Sequence, residues 1–258
     1  MTQQNDKAAT FHSLHEKGNP VVLFNIWDVG SANTVAGAGA KAIATGSAPV
    51  AMANGFADGE QIPLSFALDN VSRIVSAVDL PVSLDFEGAY GVTPEAVAGN
   101  ISRALQTGVV GFNFEDQIVG DTGLYDLDVQ SKRVAAVKGA CQAAGINAFI
   151  NARTDIFLKA KSDTHCESML EEAISRGKAY EKAGASGFFV PGLIDEAMIG
   201  RLCEEVTLPI NIIALPGAPA NSRLAELGAA RISHGPVPYR KMVAWMTEEA
   251  TNALGSTS

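Results

Sequence analysis

Residues 93–116 read TPEAVAGNISRALQTGVVGFNFED, and they contain one complete helix-to-strand unit. Thr93 is a favoured N-cap residue. Pro94 fits the first helical turn, where a missing N–H is no loss, and Glu95 faces the positive end of the helix dipole. The helical pattern runs over 94–107 and stops at Gly108, a residue suited to the left-handed cap that follows a helix. Next comes the short apolar run 111–114, and the acids Glu115 and Asp116 close it. Unbroken apolarity, rather than alternation, is what a strand covered on both faces shows.

The same unit recurs along the chain. Strands are predicted at 21–26, 42–45, 82–86, 111–114, 148–151, 187–190, 210–214 and 230–233. Helical patterns occupy 31–38, 66–77, 94–107, 129–144, 167–183, 195–205, 220–227 and 238–253. Gly39, Gly108, Gly145, Gly184 and Gly228 punctuate helix ends, and Pro81 and Pro209 open strands. Eight strand–helix units in 258 residues predict an α/β fold, a (β/α)8 TIM barrel. The alternative, an open doubly wound sheet, lacks its Gly-x-Gly-x-x-Gly after the first strand. No linker or break in composition appears, so 1–258 reads as a single domain, with 1–10 and 256–258 as flexible tails.

Barrel chemistry sits at the strand C-termini. There the sequence places Asp85 and Glu87, then Glu115 and Asp116, then Arg153. Asp85 and Glu87 are two apart and share one side of the strand or its turn. With Glu115 and Asp58 they form an oxygen-only set suited to a hard divalent cation such as Mg2+ (or Mn2+), one carboxylate binding directly and others orienting waters. Arg153 carries a planar fork for a carboxylate, or pairs with Glu115 or Asp155. Thr45-Gly46-Ser47-Ala48 follows the second strand and offers amides and a hydroxyl for an oxyanion. Residues 117–128 form a long polar stretch read as a lid, within which Tyr125 is a candidate general acid or base. Asp116, next to Glu115, is read as orienting that loop, with a ligand role as the alternative. His234 is read as an anion contact or a structural hydrogen bond, His165 as solvated, and His12 and His15 as surface residues of an N-terminal helix.

The remaining numbers exclude other classes. A net charge of −9 without any basic stripe argues against nucleic acid. The first ten residues are polar and no run reaches membrane-spanning length, so neither a signal peptide nor a membrane partner is expected. Three cysteines at unrelated spacings read as free thiols of a cytoplasmic protein.

At these residues the chain resembles the isocitrate lyase / phosphoenolpyruvate mutase superfamily. The likeness runs from Asn25-Ile26-Trp27-Asp28 to Arg231-Ile232-Ser233-His234-Gly235-Pro236. It is carried by Asp85-Phe86-Glu87-Gly88-Ala89-Tyr90-Gly91 (against Asp-x-Asp-x-Gly-Tyr-Gly), Glu115-Asp116-Gln117, Asn151-Ala152-Arg153-Thr154-Asp155 and the acidic loop 55–60. The resemblance implies a barrel whose last helix is often swapped between subunits of a homo-oligomer, a dimer or tetramer. It implies Mg2+ or Mn2+ on Asp85, with Asp58, Glu87 and Glu115 acting largely through water. It places Arg153 and the Gly46-Ser47-Ala48 backbone on the substrate carboxylate and oxo group, and it implies enolate chemistry.

The departures narrow the choice. Isocitrate and methylisocitrate lyases carry Lys-[Lys/Arg]-Cys-Gly-His in the lid, whereas 117–126 contains no Cys, Lys or His. Gln117 stands where the mutases have Lys, and Gly192 where the lyases have Glu. The reading is a Mg2+-dependent lyase or hydrolase of a small 2-oxo or 2-hydroxy carboxylate, oxaloacetate-like. The alternatives are phosphonopyruvate or carboxyphosphonoenolpyruvate mutase chemistry, and a non-catalytic 2-oxo-acid binder.

Overall fold

The eight apolar runs pair as eight parallel strands: β1 (Val21–Leu23), β2 (Ile43–Ala44), β3 (Val82–Asp85), β4 (Gly111–Glu115), β5 (Phe149–Arg153), β6 (Gly187–Phe189), β7 (Ile210–Ile213) and β8 (Arg231–Ser233). The structure is a computed structural model that describes residues 3–255. The hydrogen-bonded order is β1-β8-β7-β6-β5-β4-β3-β2. The ring is nearly closed. Between β1 and β2 one bridge joins Ile26 to Thr45, with Ile26 N–H donating to Ala44 O and Gly46 N–H to Ile26 O. This is the predicted (β/α)8 TIM barrel.

Ten α-helices appear among the described residues: α1 (Gln3–Ser13), α2 (Val29–Gly37), α3 (Ser47–Ala53), α4 (Leu64–Ala77), α5 (Pro94–Leu105), α6 (Leu127–Ala143), α7 (Glu167–Lys182), α8 (Glu196–Glu205), α9 (Asn221–Glu226) and α10 (Val237–Gly255). None is long and apolar enough to cross a membrane. The opening unit behaves as read: Thr93 accepts from Ala96 N–H with Pro94 in the first turn of α5. The main core lies between helices and the outward strand faces, where Ile74, Val97, Ile101, Phe112, Val134, Ile150, Tyr180 and Ile199 are buried.

Residues 3–10, expected in a flexible tail, instead belong to α1. Helix α1 lacks a strong apolar stripe, but it buries Ala8 and Phe11 in a second cluster with Leu23, Ala44, Val110 and Phe149. The rest of the expected tails, 1–2 and 256–258, lies outside the described residues. The fit under α1 requires a glycine: a Cβ on Gly111 would stand 2.9 Å from the Phe11 ring and 3.1 Å from Phe149 O.

His15 is likewise buried rather than on the surface. Its ring stacks on Phe149 with centroids 3.8 Å apart, and Nδ1 donates to Phe11 O at 2.7 Å. Burial, then the charge of Arg231, pushes its pKa down to about 3. An unfolded histidine takes up a proton near pH 6.5. Between pH 6.5 and 3 the unfolded chain therefore binds the extra proton, so stability is lost as pH falls through that window. Urea midpoints should drop from pH 6.5 to 4, and His15→Leu should flatten that slope. An unchanged slope would exclude His15 as a source of acid sensitivity.

Candidate active site

The strand C-termini and the loops above them surround a cavity of about 290 Å³. Its polar lining comprises Asn25, Ser47, Asp58, Asp85, Asn113, Arg153, Ser233 and Arg240, and its walls include Leu158, Phe189, Pro191, Ile213 and Leu215. Asp85, the last residue of β3, is fixed at both ends. Its N–H donates to Thr45 Oγ1 at 2.9 Å. Its Oδ2 accepts from Ser47 N–H at 2.9 Å, and its Oδ1 from Asn113 Nδ2 at 3.1 Å. Thr45 thus aims Asp85 from beneath and is itself buried.

Glu87 turns away from the main cavity. Its Oε1 accepts from Gly59 and Glu60 N–H, both at 2.9 Å, while Glu60 Oε1 accepts from Tyr90 N–H at 2.7 Å. Two loops therefore clamp each other through reciprocal carboxylate-to-amide bonds. Glu60, Glu87, Ala89 and Tyr90 all have positive φ, between 52° and 59°, a conformation non-glycine residues hold only where such contacts enforce it. Between Asp85 and Glu87 a second cavity of about 20 Å³, also lined by Thr45, Ser47 and Tyr90, has room for one water.

The electrostatics are those of crowded acids. Burial and then Asp58's charge push Glu87 up to about 8. Asp58 lies on the exposed loop, and partial burial of its carboxylate, then Asp85's charge, raises it. Glu115 is buried and raised, opposed by Arg153 Nη1 at 2.9 Å; Gln117 Nε2 also donates to it. Arg153 is strongly committed: besides Glu115, its Nε and Nη2 grip both oxygens of Asp155 at 2.6 and 2.9 Å. Of the five N–H groups of a guanidinium, two remain for a ligand.

No three His, Cys, Asp or Glu side chains among the described residues converge as a direct metal cage. The arrangement fits a cation of the Mg2+ type, which binds through one or two carboxylates and keeps most of its waters. Asp85 faces the cavity with a fixed carboxylate. Neither Asp58 nor Glu87 forms an ion pair among the described residues; Arg153 offsets the Asp58 charge only in part, since burial and the Asp85 charge outweigh it.

Several expected residues sit elsewhere. Tyr125 does not line the cavity; its ring covers the Arg133 guanidinium, 4.0 Å from centroid to Cζ. The stretch 117–128, read as a lid, folds on itself through a Gln117–Leu124 bridge and an Ile118 N–H to Gly123 O bond. Two of the expected oxyanion amides are engaged internally, Gly46 with Ile26 O and Ser47 with Asp85. Asp116 is buried and receives Tyr180 OH at 2.9 Å, Arg176 Nη1 at 3.1 Å and Asp155 N–H at 3.1 Å, so it orients the loop carrying Asp155. His234 donates its N–H to Asn25 Oδ1, and His165 packs on Phe157 with Nε2 against Phe157 O; neither ring lines the cavity. Gly192 has φ of 89°, and a Cβ there would stand 2.7 Å from Leu158 N, so no glutamate fits without moving that loop.

Sequence reading missed the polar layer inside the barrel. Asn113, Asn151, Asn211, Arg231 and Ser233 are buried, joined by Arg231 Nη2 to Asn113 Oδ1 at 3.1 Å and Asn151 Nδ2 to Asn113 Oδ1 at 2.9 Å. The three asparagines each sit next to apolar neighbours in their own strand, and Arg231 and Ser233 flank Ile232 in β8, a signal legible only with the strand register in hand. Arg240 was missed because it lies in a helix rather than at a strand end.

The family model described as phosphoenolpyruvate phosphomutase matches residues 11–254. A crystal structure from Burkholderia cenocepacia J2315, provisionally described as a phosphonomutase, is 46% identical with a TM-score of 0.93, covering 98% of this chain and 99% of that one. A 2,3-dimethylmalate lyase of the PEP mutase/isocitrate lyase superfamily is 25% identical with a TM-score of 0.84, over 99% of this chain and 89% of the other. The oxaloacetate decarboxylase of Pseudomonas savastanoi pv. phaseolicola is 28% identical over 186 residues, 69% of this chain and 60% of its own length.

Proposed function

The chain belongs to the phosphoenolpyruvate phosphomutase family, and on that premise we propose that it is a Mg2+-dependent enzyme cleaving a carbon–carbon bond in a small 2-oxo or 2-hydroxy carboxylate. The observation that carries the reading is the fixed carboxylate of Asp85 lining a 290 Å³ cavity, with the unpaired acids Asp58 and Glu87 close by. Asp85 would hold the ion directly, and Asp58, Glu87 and Glu115 would hold its waters. When bound, the ion supplies a Lewis acid for the developing enolate oxygen. The two spare N–H groups of Arg153 hold the carboxylate next to the reacting carbonyl. Asn113 and Ser47 keep Asp85 from rotating.

An oxaloacetate-like acid suits the lining. In decarboxylation the C3–C4 bond breaks, C4 leaves as CO2, its electron pair moves onto the C2 oxygen, and C3 takes a proton from water. No side-chain acid is needed at bond breaking, which accords with a cavity lined by neither Cys nor His. The oxaloacetate decarboxylase relative supports the same substrate class. The mutase reading is favoured by the 46%-identical phosphonomutase-described structure. It is opposed by Gln117, which replaces the mutase Lys and turns onto Glu115. A turnover screen with Mg2+ over oxaloacetate, substituted malates and phosphonopyruvate, read by NMR, decides between them. Metal-dependent loss of oxaloacetate or a malate is expected. Phosphonopyruvate turnover would transfer the assignment to mutase chemistry, and binding without product would make the chain a 2-oxo-acid binder.

The assembly we infer is a homo-oligomer exchanging α10. That helix buries only Pro238 and exposes Val243, Trp245 and Met246. The barrel meanwhile exposes Val22 and Phe24 beside a groove of about 790 Å³ lined by Val21, Val35 and Ala38. An apolar helix and an apolar groove of this kind match as swapped partners. Trp245→Glu with Met246→Glu should convert the oligomer to monomer in sedimentation velocity. An unshifted sedimentation coefficient would exclude α10 from the interface.

A further inference from the structure

Two cations line the active-site cavity, and they are in different states. Arg153 already neutralises Glu115 and Asp155. Arg240, from the first turn of α10, lines the same cavity, and its guanidinium has no hydrogen bond or ion pair with any described residue. Its backbone is anchored. The Arg240 N–H donates to Pro236 O at 3.0 Å, and the adjacent Tyr239 ring packs edge-on against Trp27 at 5.1 Å. The side chain is thus held at its root and unpaired at its tip, in a protein whose net charge is −9.

We propose that Arg240 receives a second carboxylate of the substrate, so that the site selects a short 2-oxo or 2-hydroxy dicarboxylate over a monocarboxylate. This rests on the preceding assignment of Asp85 and Arg153 to the 2-oxo-acid head. With the head seated there, the side walls are Leu158, Phe189, Pro191, Ile213 and Leu215. None of those side chains can pair with a charge. A carboxylate at the far end of the substrate would be stripped of water against that wall, a costly state without a partner. Arg240 is the remaining lining cation, and a guanidinium matches a carboxylate with paired N–H donors. The other charged lining groups are Arg153, already paired with Glu115 and Asp155, and the acids Asp58 and Asp85, which repel an anionic tail. The cavity is also small by the standard of ligand pockets, which favours an acid of about four carbons.

Titration calorimetry with Mg2+ present tests this, using pyruvate as a head-only probe and 3,3-difluorooxaloacetate as a probe with a second carboxylate. The wild type should prefer the dicarboxylate by at least about tenfold, the effect of one charge-assisted pair. In Arg240→Gln that preference should vanish with pyruvate affinity unchanged, and Arg240→Lys should restore part of it. A preference that survives in Arg240→Gln overturns the proposal, as does an equal loss for both probes. If neither probe binds the wild type, the head assignment itself fails and the proposal falls with it.

Discussion

Asp85→Asn should lose metal-dependent turnover by roughly 10³-fold, on the order of 4 kcal/mol of transition-state stabilisation, because it removes the one acid fixed to face the cavity. The fold should survive. Asn can still accept from Ser47 N–H, giving up only the bond from Asn113 Nδ2, and Thr45 holds the backbone N–H, which the substitution leaves unchanged. Asp85's charge also raises Asp58, Glu87 and Glu115, so its loss relieves repulsion in the metal-free protein. The variant is therefore expected to melt no lower than wild type without metal. Wild type should gain thermal stability on adding Mg2+, as any ligand of the native state confers, and Asp85→Asn should not. A variant that keeps the Mg2+-induced shift would remove Asp85 from the metal site.

Arg153→Met should cost about 3–5 kcal/mol of folding stability, the loss typical of stripping one partner from a buried ion pair. The guanidinium lies between Glu115 and Asp155, both almost fully buried, and no other cation among the described residues pairs with Asp155. Adding Glu115→Gln should recover part of the loss, since one stranded charge goes with it. Arg153→Lys should keep the fold but not the two-point grip on Asp155, weakening binding of oxalate in the presence of Mg2+ by about tenfold or more. Urea denaturation and oxalate titration give both numbers. A loss below about 1 kcal/mol for Arg153→Met would mean that the ion pairs are dispensable, and unchanged oxalate binding in Arg153→Lys would make Arg153 structural alone.

The barrel was legible because its signals are local. Helix caps such as Thr93, glycine stops such as Gly108 and short apolar runs each report their own few residues, and eight repeats of them leave little choice of architecture. Helix α3 escapes notice, and the start of α1 reads as a tail, for the opposite reason. α1 has few apolar residues and is stable because Phe11 reaches the barrel floor. α3 opens at Ser47, inside what reads as a turn, and buries Pro49, Val50 and Ala51. His15 looked like a surface residue of a polar helix and is a buried ring on Phe149.

By itself the sequence determined which elements form, their order, and that Asp85, Glu115 and Arg153 end successive strands on one rim. Those properties follow from spacing along the chain. Only the tertiary structure decided what each acid faces: Asp85 the cavity, Glu87 the amides of a neighbouring loop, Glu115 the fork of Arg153. It also placed Tyr125 on Arg133, away from the cavity, and brought Arg240 from a helix to the cavity lining. Side-chain direction at a strand end depends on which distant amides and charges arrive there, and those partners, 28 residues away for Glu87 and Gly59 and 38 for Asp85 and Ser47, are fixed by closure of the barrel rather than by local sequence.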